Sequence, residues 1–339
     1  MHRFVVGTGR CGSTLLSRML AENESVLSVF EFFNGLDMAR RFANDEVPGS
    51  EIADLVSSEQ PVVTAVLRRG YMVDEITYPF DDSESSTRRY RRDEALPWIL
   101  VSALGRLSDD PDALFDEVME QLRSQPDQRP RDHYLELFDW LTERFGHEVW
   151  IERSGSSIDY FLGLVEQFPE ARFLHLHRDG HEVALSMREH DAYRVPISLI
   201  YDAKLASGKR VSELGPIDIH AAPTGDDPIS QVLASLPAPA EFGRYWTDQV
   251  LHGFQAISKL DRDQYLEVRF EDLVEKPLDT IKEISAFFEL PERDPDWIGR
   301  AAAIVRGAPP TRFEQLSSQD QDMLRESCRP GSVLLGRAF

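Results

Sequence analysis

Apolar residues along the chain cluster in short runs, separated by longer stretches whose apolar positions recur at helical spacing. The runs Arg3–Val6, Val149–Glu152, Arg172–His177 and Tyr265–Arg269 predict β-strands. Helical patterns at Thr14–Ala21, Tyr134–Phe145, Ile158–Gln167, His181–Arg188 and Leu278–Phe288 follow or separate them. The last is the clearest, with Ile281, Ile284, Phe287 and Phe288 on one face. Strands alternating with helices predict an α/β fold, a mostly parallel sheet covered by helices on both faces. Two stretches interrupt the alternation. Residues 33–131 read as a helical, polar insertion with a charge-rich turn from Asp81 to Glu94. Residues 191–240 are rich in Gly, Pro and Ser and carry Pro-Ala-Pro at 237–239. They are expected to form an irregular substrate-side lid, the alternative being a passive surface insertion. No repeat and no clean boundary divides the chain, so residues 1–339 read as one domain with these two insertions.

Composition narrows the function. Hydrophobic residues make up 42% and charged residues 28%, a globular balance. The net charge is −22, and so acidic a body repels a polyphosphate backbone, which argues against nucleic acid as a partner. Any anion that binds needs a local basic pocket. No run approaches the ~20 apolar residues that span a membrane, and the first residues lack the apolar segment of a signal peptide. The two cysteines, Cys11 and Cys328, are too few for a disulfide framework or a zinc site. The expectation is a cytoplasmic protein without metal.

The strongest local signal is Gly7-Thr8-Gly9-Arg10-Cys11-Gly12-Ser13-Thr14, between an apolar strand and the apolar helix Leu15-Leu16-Ser17-Arg18-Met19-Leu20. Strand, glycine-rich turn and helix start make a P-loop-type phosphate cradle: glycines let backbone N–H groups turn inward, and the helix N-terminus adds partial positive charge. Gly7 and Gly12 have the spacing of the nucleotide-triphosphatase loop, but Ser13 stands where that loop carries lysine. The missing lysine argues against ATP or GTP chemistry. Arg10 supplies a forked cation within the loop, and Ser13 and Thr14 supply hydroxyls. Cys11 reads as a small loop residue and not as a nucleophile.

A second anion-binding candidate is the strand end Phe173-Leu174-His175-Leu176-His177-Arg178-Asp179, with Ser186 eight residues beyond Arg178 on the following helix. Strand-end residues of open parallel sheets face the ligand crevice. Arg178 and Ser186 can grip one phosphate there; the alternative for Arg178 and Asp179 is a surface pair. His175 and His177 alternate on one strand face and read as hydrogen-bonded core groups.

These segments, in this order, resemble the PAPS-dependent sulfotransferases. Gly9 to Leu16 is similar to the 5′-phosphosulfate loop of the bacterial carbohydrate and tyrosylprotein branches. Phe168 to Asp179, with Ser186, resembles the strand and helix that hold the 3′-phosphate. Val268-Arg269-Phe270-Glu271-Asp272-Leu273-Val274, with Pro277, resembles the late strand–turn block, and Trp150-Ile151-Glu152-Arg153-Ser154 the middle strand. The resemblance covers residues 4 to about 290. It implies PAPS as donor and PAP as product, with no metal required. It implies that Gly9, Arg10, Cys11, Gly12, Ser13 and Thr14 surround the sulfuryl end, that Arg178 and Ser186 hold the 3′-phosphate, and that Phe270 lies near the adenine. Departures are Cys11 for the usual serine, Gly180 and His181 after Arg178-Asp179, and Arg153 and Gly155 for a lysine–proline pair. Arg312-Phe313 resembles a late Arg-Trp element of some members.

Sulfuryl transfer needs positioning, stabilisation of charge on the leaving phosphate, and a base for the acceptor proton. Arg10 is placed at the developing charge. Glu31, 21 residues after Arg10 in Val29-Phe30-Glu31-Phe32-Phe33, is the candidate base, since flanking aromatics desolvate its carboxylate. The resemblance adds that the tyrosylprotein branch places its base carboxylate at this offset; the alternative is an exposed glutamate opening the next helix. The expected acceptor is a hydroxyl of a small molecule, lipid, glycolipid, natural product or carrier-bound group, met near Phe30, Phe32, Phe33, Tyr193 and Tyr201. Competing readings are a P-loop small-metabolite kinase and a non-catalytic PAP- or nucleotide-binding protein. Oligomeric state is not legible.

Overall fold

The structure, a computed structural model, describes residues 1–81, 83 and 87–337. Within the charge-rich turn predicted from Asp81 to Glu94, Asp82 and residues 84–86 lie outside the described residues. Among the described residues five strands form one sheet: β1 (Arg3–Gly7), β2 (Val26–Phe30), β3 (Val149–Arg153), β4 (Arg172–His177) and β5 (Tyr265–Arg269). Every pairing is parallel and the order is β2-β3-β1-β4-β5. The α/β architecture predicted from the alternation is therefore present. β1 is buried along its whole length, because helices cover both faces of a parallel sheet and leave no polar side for alternation.

The predicted helices are found with small boundary changes: Ser13–Leu20, Pro130–Arg144, Phe161–Gln167, Gly180–Glu189 and Pro277–Phe288. β2 is the strand that the pattern does not predict. It runs in register with β3, Phe30 opposite Arg153, at the edge of the sheet.

The long insertion is helical as expected, with helices at Gly49–Val56, Pro61–Arg68 and Pro111–Arg123. It is not polar throughout. Ile52, Val66, Trp98, Ile99 and Val118 join Phe4, Phe33, Tyr134 and Phe138 in one buried cluster, so the insertion builds core against the sheet. Phe32 and Phe33, expected near the acceptor, pack edge-to-face with Phe138 and Tyr134 in this cluster and are buried core residues. Residues 191–240 also depart from an irregular segment. They open with the helix Asp191–Ile200 and include a second at Pro228–Leu233. Arg194 pins the first by donating to the carbonyls of Arg188, Glu189 and Leu233.

Pro-Ala-Pro at 237–239 begins a long helix, Pro239–Ile257, with proline in its first turn, where a missing N–H costs nothing. That helix packs on Gly180–Glu189 and on the C-terminal helix Ser318–Leu334 around Trp246. Among the described residues no helix is long and apolar enough to cross a membrane.

The topology fixes where a ligand can sit. β1 lies centrally, with β3 on one side and β4 on the other, so chain direction across the sheet reverses beside it. Loops leaving the carboxyl ends of strands diverge at such a point and open a crevice. The glycine-rich turn, Glu31, Arg153 and Arg178 all lie at that end, at or just past their strands.

Candidate active site

The glycine-rich turn joins β1 to the helix Ser13–Leu20 and is shaped by two close approaches. Gly12 has φ 99°, and a Cβ there would lie 2.2 Å from a ring carbon of Phe270. A Cβ on Gly9 would lie 1.9 Å from the Tyr193 hydroxyl. Glycine is therefore required at both positions, by backbone conformation at the first and by space at both. Cys11 is buried beneath the turn, and burial raises its thiol pKa, which suits a packing residue and not a nucleophile. Arg10 adopts the left-handed conformation, φ 62°.

A cavity of about 290 Å³ lies in front of this turn. Arg10, Gly12, Ser13, Thr14, Phe30, Glu31, Arg153, Arg178 and Ser186 line it, with Asp74, Glu75, Tyr193 and Arg312. Of the sequence-predicted residues, Gly9 and Cys11 support the turn from outside the cavity. Phe270 lines an adjoining cavity of about 320 Å³, which shares Arg178 and Pro309 with the first. The Arg178 guanidinium sits 4.6 Å over the Phe270 ring. It forms no pair with Asp179, which instead accepts from the Glu182 N–H at the start of the Gly180–Glu189 helix. Ser186 accepts from Arg10 Nε at 3.2 Å, so the first anion candidate and the second meet directly. Arg312 reaches the cavity because Glu182 accepts from the N–H groups of Arg312 and Phe313 and docks the late segment on the same helix.

Glu31 follows β2 directly, at φ 53°, and is 1% exposed. Its alternative as an exposed helix-opening glutamate is excluded by that burial. Arg153 Nη1 and the Gly155 N–H donate to Oε1 at 2.5 and 2.8 Å, and Asn34 donates to Oε2 at 3.1 Å. Burial raises the Glu31 pKa, opposed by the charge of Arg153 and reinforced by that of Glu75.

Arg153 lies 3.8 Å over the Phe30 ring and also donates to Ser13 Oγ at 3.3 Å. Its Nε and Nη2 are buried with no partner, and so is Thr8 Oγ1. A buried guanidinium with two nitrogens unsatisfied is costly unless an anion completes it, so the residues present fit an anionic group at this point.

His175 and His177 are core groups, as expected. His175 pairs with the Tyr265 hydroxyl at 2.8 Å, and burial takes its pKa down to about 3. His177 meets Glu267 and Arg337. Among the described residues no three His, Cys, Asp or Glu side chains gather as a metal-ligand set.

The sequence reading missed Asp74 and Glu75. They come from the loop after the helix Pro61–Arg68 and hold the tip of Arg10, at 3.0 and 3.4 Å. Glu75 also meets His190 Nε2 at 3.0 Å. No local motif surrounds them; their position depends on how the insertion folds back over the turn. Beyond Glu31 lies a further cavity of about 170 Å³, bounded by Asn34, Gln60, Ser156, Asp159, His190 and Tyr245, which shares Glu31, Glu75 and Tyr193 with the first. Tyr193 is the one predicted acceptor-side aromatic that reaches it. Tyr201 bonds Asp248 in a separate cleft, and Phe30 floors Arg153 in the first cavity.

Among solved structures the chain is similar to the sulfotransferase domain from the curacin biosynthetic pathway, with 13% identity over 100% of this chain and 98% of that one, TM-score 0.48. It is similar to the sulfotransferase domain of the Synechococcus PCC 7002 olefin synthase, with 15% identity over 100% and 95%, TM-score 0.48. Sulfotransferase STF9 from Mycobacterium avium gives 13% over 100% and 77%, TM-score 0.48. Comparison with curated proteins finds no match. The assignment rests on a family model described as the sulfotransferase family, which matches residues 4–204, more than half of the chain. That span holds the glycine-rich turn, Glu31, Arg153, Arg178 and Ser186, and the chain belongs to the sulfotransferase family.

Proposed function

We propose that the chain, acting as one unit, transfers a sulfuryl group from PAPS to a hydroxyl of a small-molecule, glycolipid or natural-product acceptor and releases PAP. The observation that carries this reading is Arg153. Its Nη1 donates to Ser13 of the turn and to the carboxylate of Glu31, while its Nε and Nη2 are buried without a partner. One residue thus touches both the anion cradle and the candidate base.

The donor, when bound, supplies an activated sulfuryl group on a phosphate leaving group. Arg10, Ser13, Thr14 and Arg153 are the residues that would hold its charged end and offset the negative charge that builds there. Arg178 and Ser186 would take the 3′-phosphate, and the cavity between Phe270 and Phe313 would take the base. Glu31 would accept the acceptor's hydroxyl proton on Oε2, which carries one donor where Oε1 carries two. The acceptor would enter by the cavity beyond Glu31. Its lining joins amide, hydroxyl and carboxylate groups with Val63, Val73, Trp98, Ala192 and Pro196, which favours an acceptor with both hydrogen-bonding and apolar parts.

Parallel calorimetric titrations with PAP, ATP–Mg and ADP test the donor. Binding of PAP alone at micromolar concentration is expected, and Arg10→Ala should abolish it. Binding of ATP–Mg without PAP would replace this reading with a small-metabolite kinase. Tight PAP binding with no turnover across a PAPS-dependent acceptor screen would leave a non-catalytic binder.

A further inference from the structure

Glu75 is the carboxylate that joins the two cavities from the insertion side. It lines both, its side chain is 16% exposed, and it is bonded to one group from each: Arg10 Nη1 at 3.4 Å on Oε1 and His190 Nε2 at 3.0 Å on Oε2. Asp74 adds a second carboxylate on the same arginine, 3.0 Å from Nη2 and largely exposed. On the donor reading above, Arg10 also serves the donor's charged end, so donor and acids compete for one guanidinium.

We infer that Glu75 is a positioning residue, one that ties the occupancy of the donor loop to the proton chemistry of Glu31. This rests on the reading of Arg10 and Glu31 given above. While the site is empty, Arg10 offsets the charge of Glu75. When a donor draws Arg10 away, Glu75 keeps its negative charge in a site from which water is largely excluded. Its field on Glu31 is then less compensated, and Glu31 becomes a stronger base with the donor in place.

The two carboxylates are already set apart. Burial pushes Glu75 up, but His190 and Arg10 outweigh it and hold the group down at about 2, whereas Glu31 is raised. The other charged and titratable groups around Glu31 are Arg153 and Glu152 on β3, Tyr160, Tyr193 and Arg106. Around Glu75 they are Arg10, Asp74 and His190, with Arg153, Arg106 and Tyr193 also within its field.

The test uses the full chain, PAP as probe, and Glu carboxyl ¹³C NMR, with the Glu31 signal assigned by its loss in Glu31→Gln. Glu75→Gln should bind PAP ~3–10-fold more tightly, since Arg10 no longer has to leave a charged partner. It should also shift the Glu31 titration down by ~1 pH unit in the PAP complex, and by less in the free chain, where Arg10 offsets Glu75. Asp74→Asn should tighten PAP binding while leaving the Glu31 titration in place. A residue that merely braces the fold would do the reverse on the first count, weakening PAP binding. Weaker PAP binding in Glu75→Gln, or an unmoved Glu31 titration, overturns the inference. Should Glu75→Gln fail to fold, PAP binding by Asp74→Asn decides the Arg10 half, and unchanged or weaker binding there overturns it. Wild-type protein that binds no PAP sinks the donor reading itself, whereas wild-type protein that binds PAP while Glu75→Gln leaves the Glu31 titration of the complex unmoved sinks only the role of Glu75.

Discussion

Arg153 Nη1 lies 2.5 Å from Glu31 Oε1, and both side chains are 2% exposed. The two residues are the carboxyl-terminal residue of β3 and the first residue past β2, brought side by side by parallel pairing in which Phe30 is opposite Arg153. A buried ion pair of this kind gains its attraction against a large desolvation cost. Here the pair is also incomplete, because two of the arginine's nitrogens have no partner. The arrangement contributes more to a site than to stability.

Glu31→Gln keeps the volume and a hydrogen-bonding oxygen beside Arg153 and removes the proposed base. Turnover is expected to fall ~10²–10⁴-fold while PAP affinity stays within a few-fold. Steady-state rates with an identified acceptor, read with calorimetry on the same preparation, check this. A variant as fast as wild type removes Glu31 from the chemistry.

Arg153→Met leaves the Glu31 carboxylate buried without its cation. The expected loss is ~3–5 kcal/mol in stability, with no measurable turnover. The double variant Glu31→Leu/Arg153→Met should recover most of that stability and none of the activity. Thermal melts of the four proteins of this cycle measure the coupling. Equal losses in the single and double variants would show that the pair does not matter in the way described.

Glu152, buried in the middle of the sheet, has one oxygen taken by the Ser154 hydroxyl at 2.5 Å and the other unpartnered. Burial raises its pKa to about 8. Between the ordinary carboxylate range and that value the folded chain holds a proton that the unfolded chain has shed. Its contribution to stability is therefore full at low pH and is lost as pH rises through this window, levelling off above 8. Glu152→Gln should flatten the decline of melting temperature between pH 5 and 8. A slope identical to wild type would show that Glu152 is ionised in the fold.

Gly12→Ala forces a Cβ against the Phe270 ring at a backbone angle of 99°. The turn must shift, which should cost ~1–3 kcal/mol of stability and at least ~10-fold in PAP affinity. Melting and PAP titration of the variant measure both. Unchanged PAP affinity would mean that the turn does not hold the donor.

The glycine-rich turn, the strands β1, β3, β4 and β5 and the helices beside them were legible because each is encoded within a few neighbouring residues. Arg10, Ser13, Thr14, Arg178 and Ser186 were found the same way, as loop or strand-end residues with a local pattern, and they line one cavity. β2 was not, since Val-Leu-Ser-Val-Phe is too short to distinguish from an approach to the next helix. Pro-Ala-Pro at 237–239 has the composition of an irregular segment, although proline equally opens a helix; which applies depends on whether the following face finds a partner, here Trp246 between two helices. Phe32, Phe33 and Tyr201 were expected at the acceptor because aromatic character says nothing about direction. The sheet and the insertion turned the first two into core.

By itself the sequence determined the alternation of strand and helix, the conformation of the first turn and the supply of cations near it, all consequences of short-range sterics and periodicity. Only the tertiary structure decided that Arg153 faces Glu31, that Arg10 rests on Asp74 and Glu75, and that Ser186 of the second anion-binding candidate meets Arg10 of the first. Those contacts join residues 64 to 176 positions apart. Their energies depend on burial and on the field of every nearby charge, and neither exists until the sheet has brought its strand ends together.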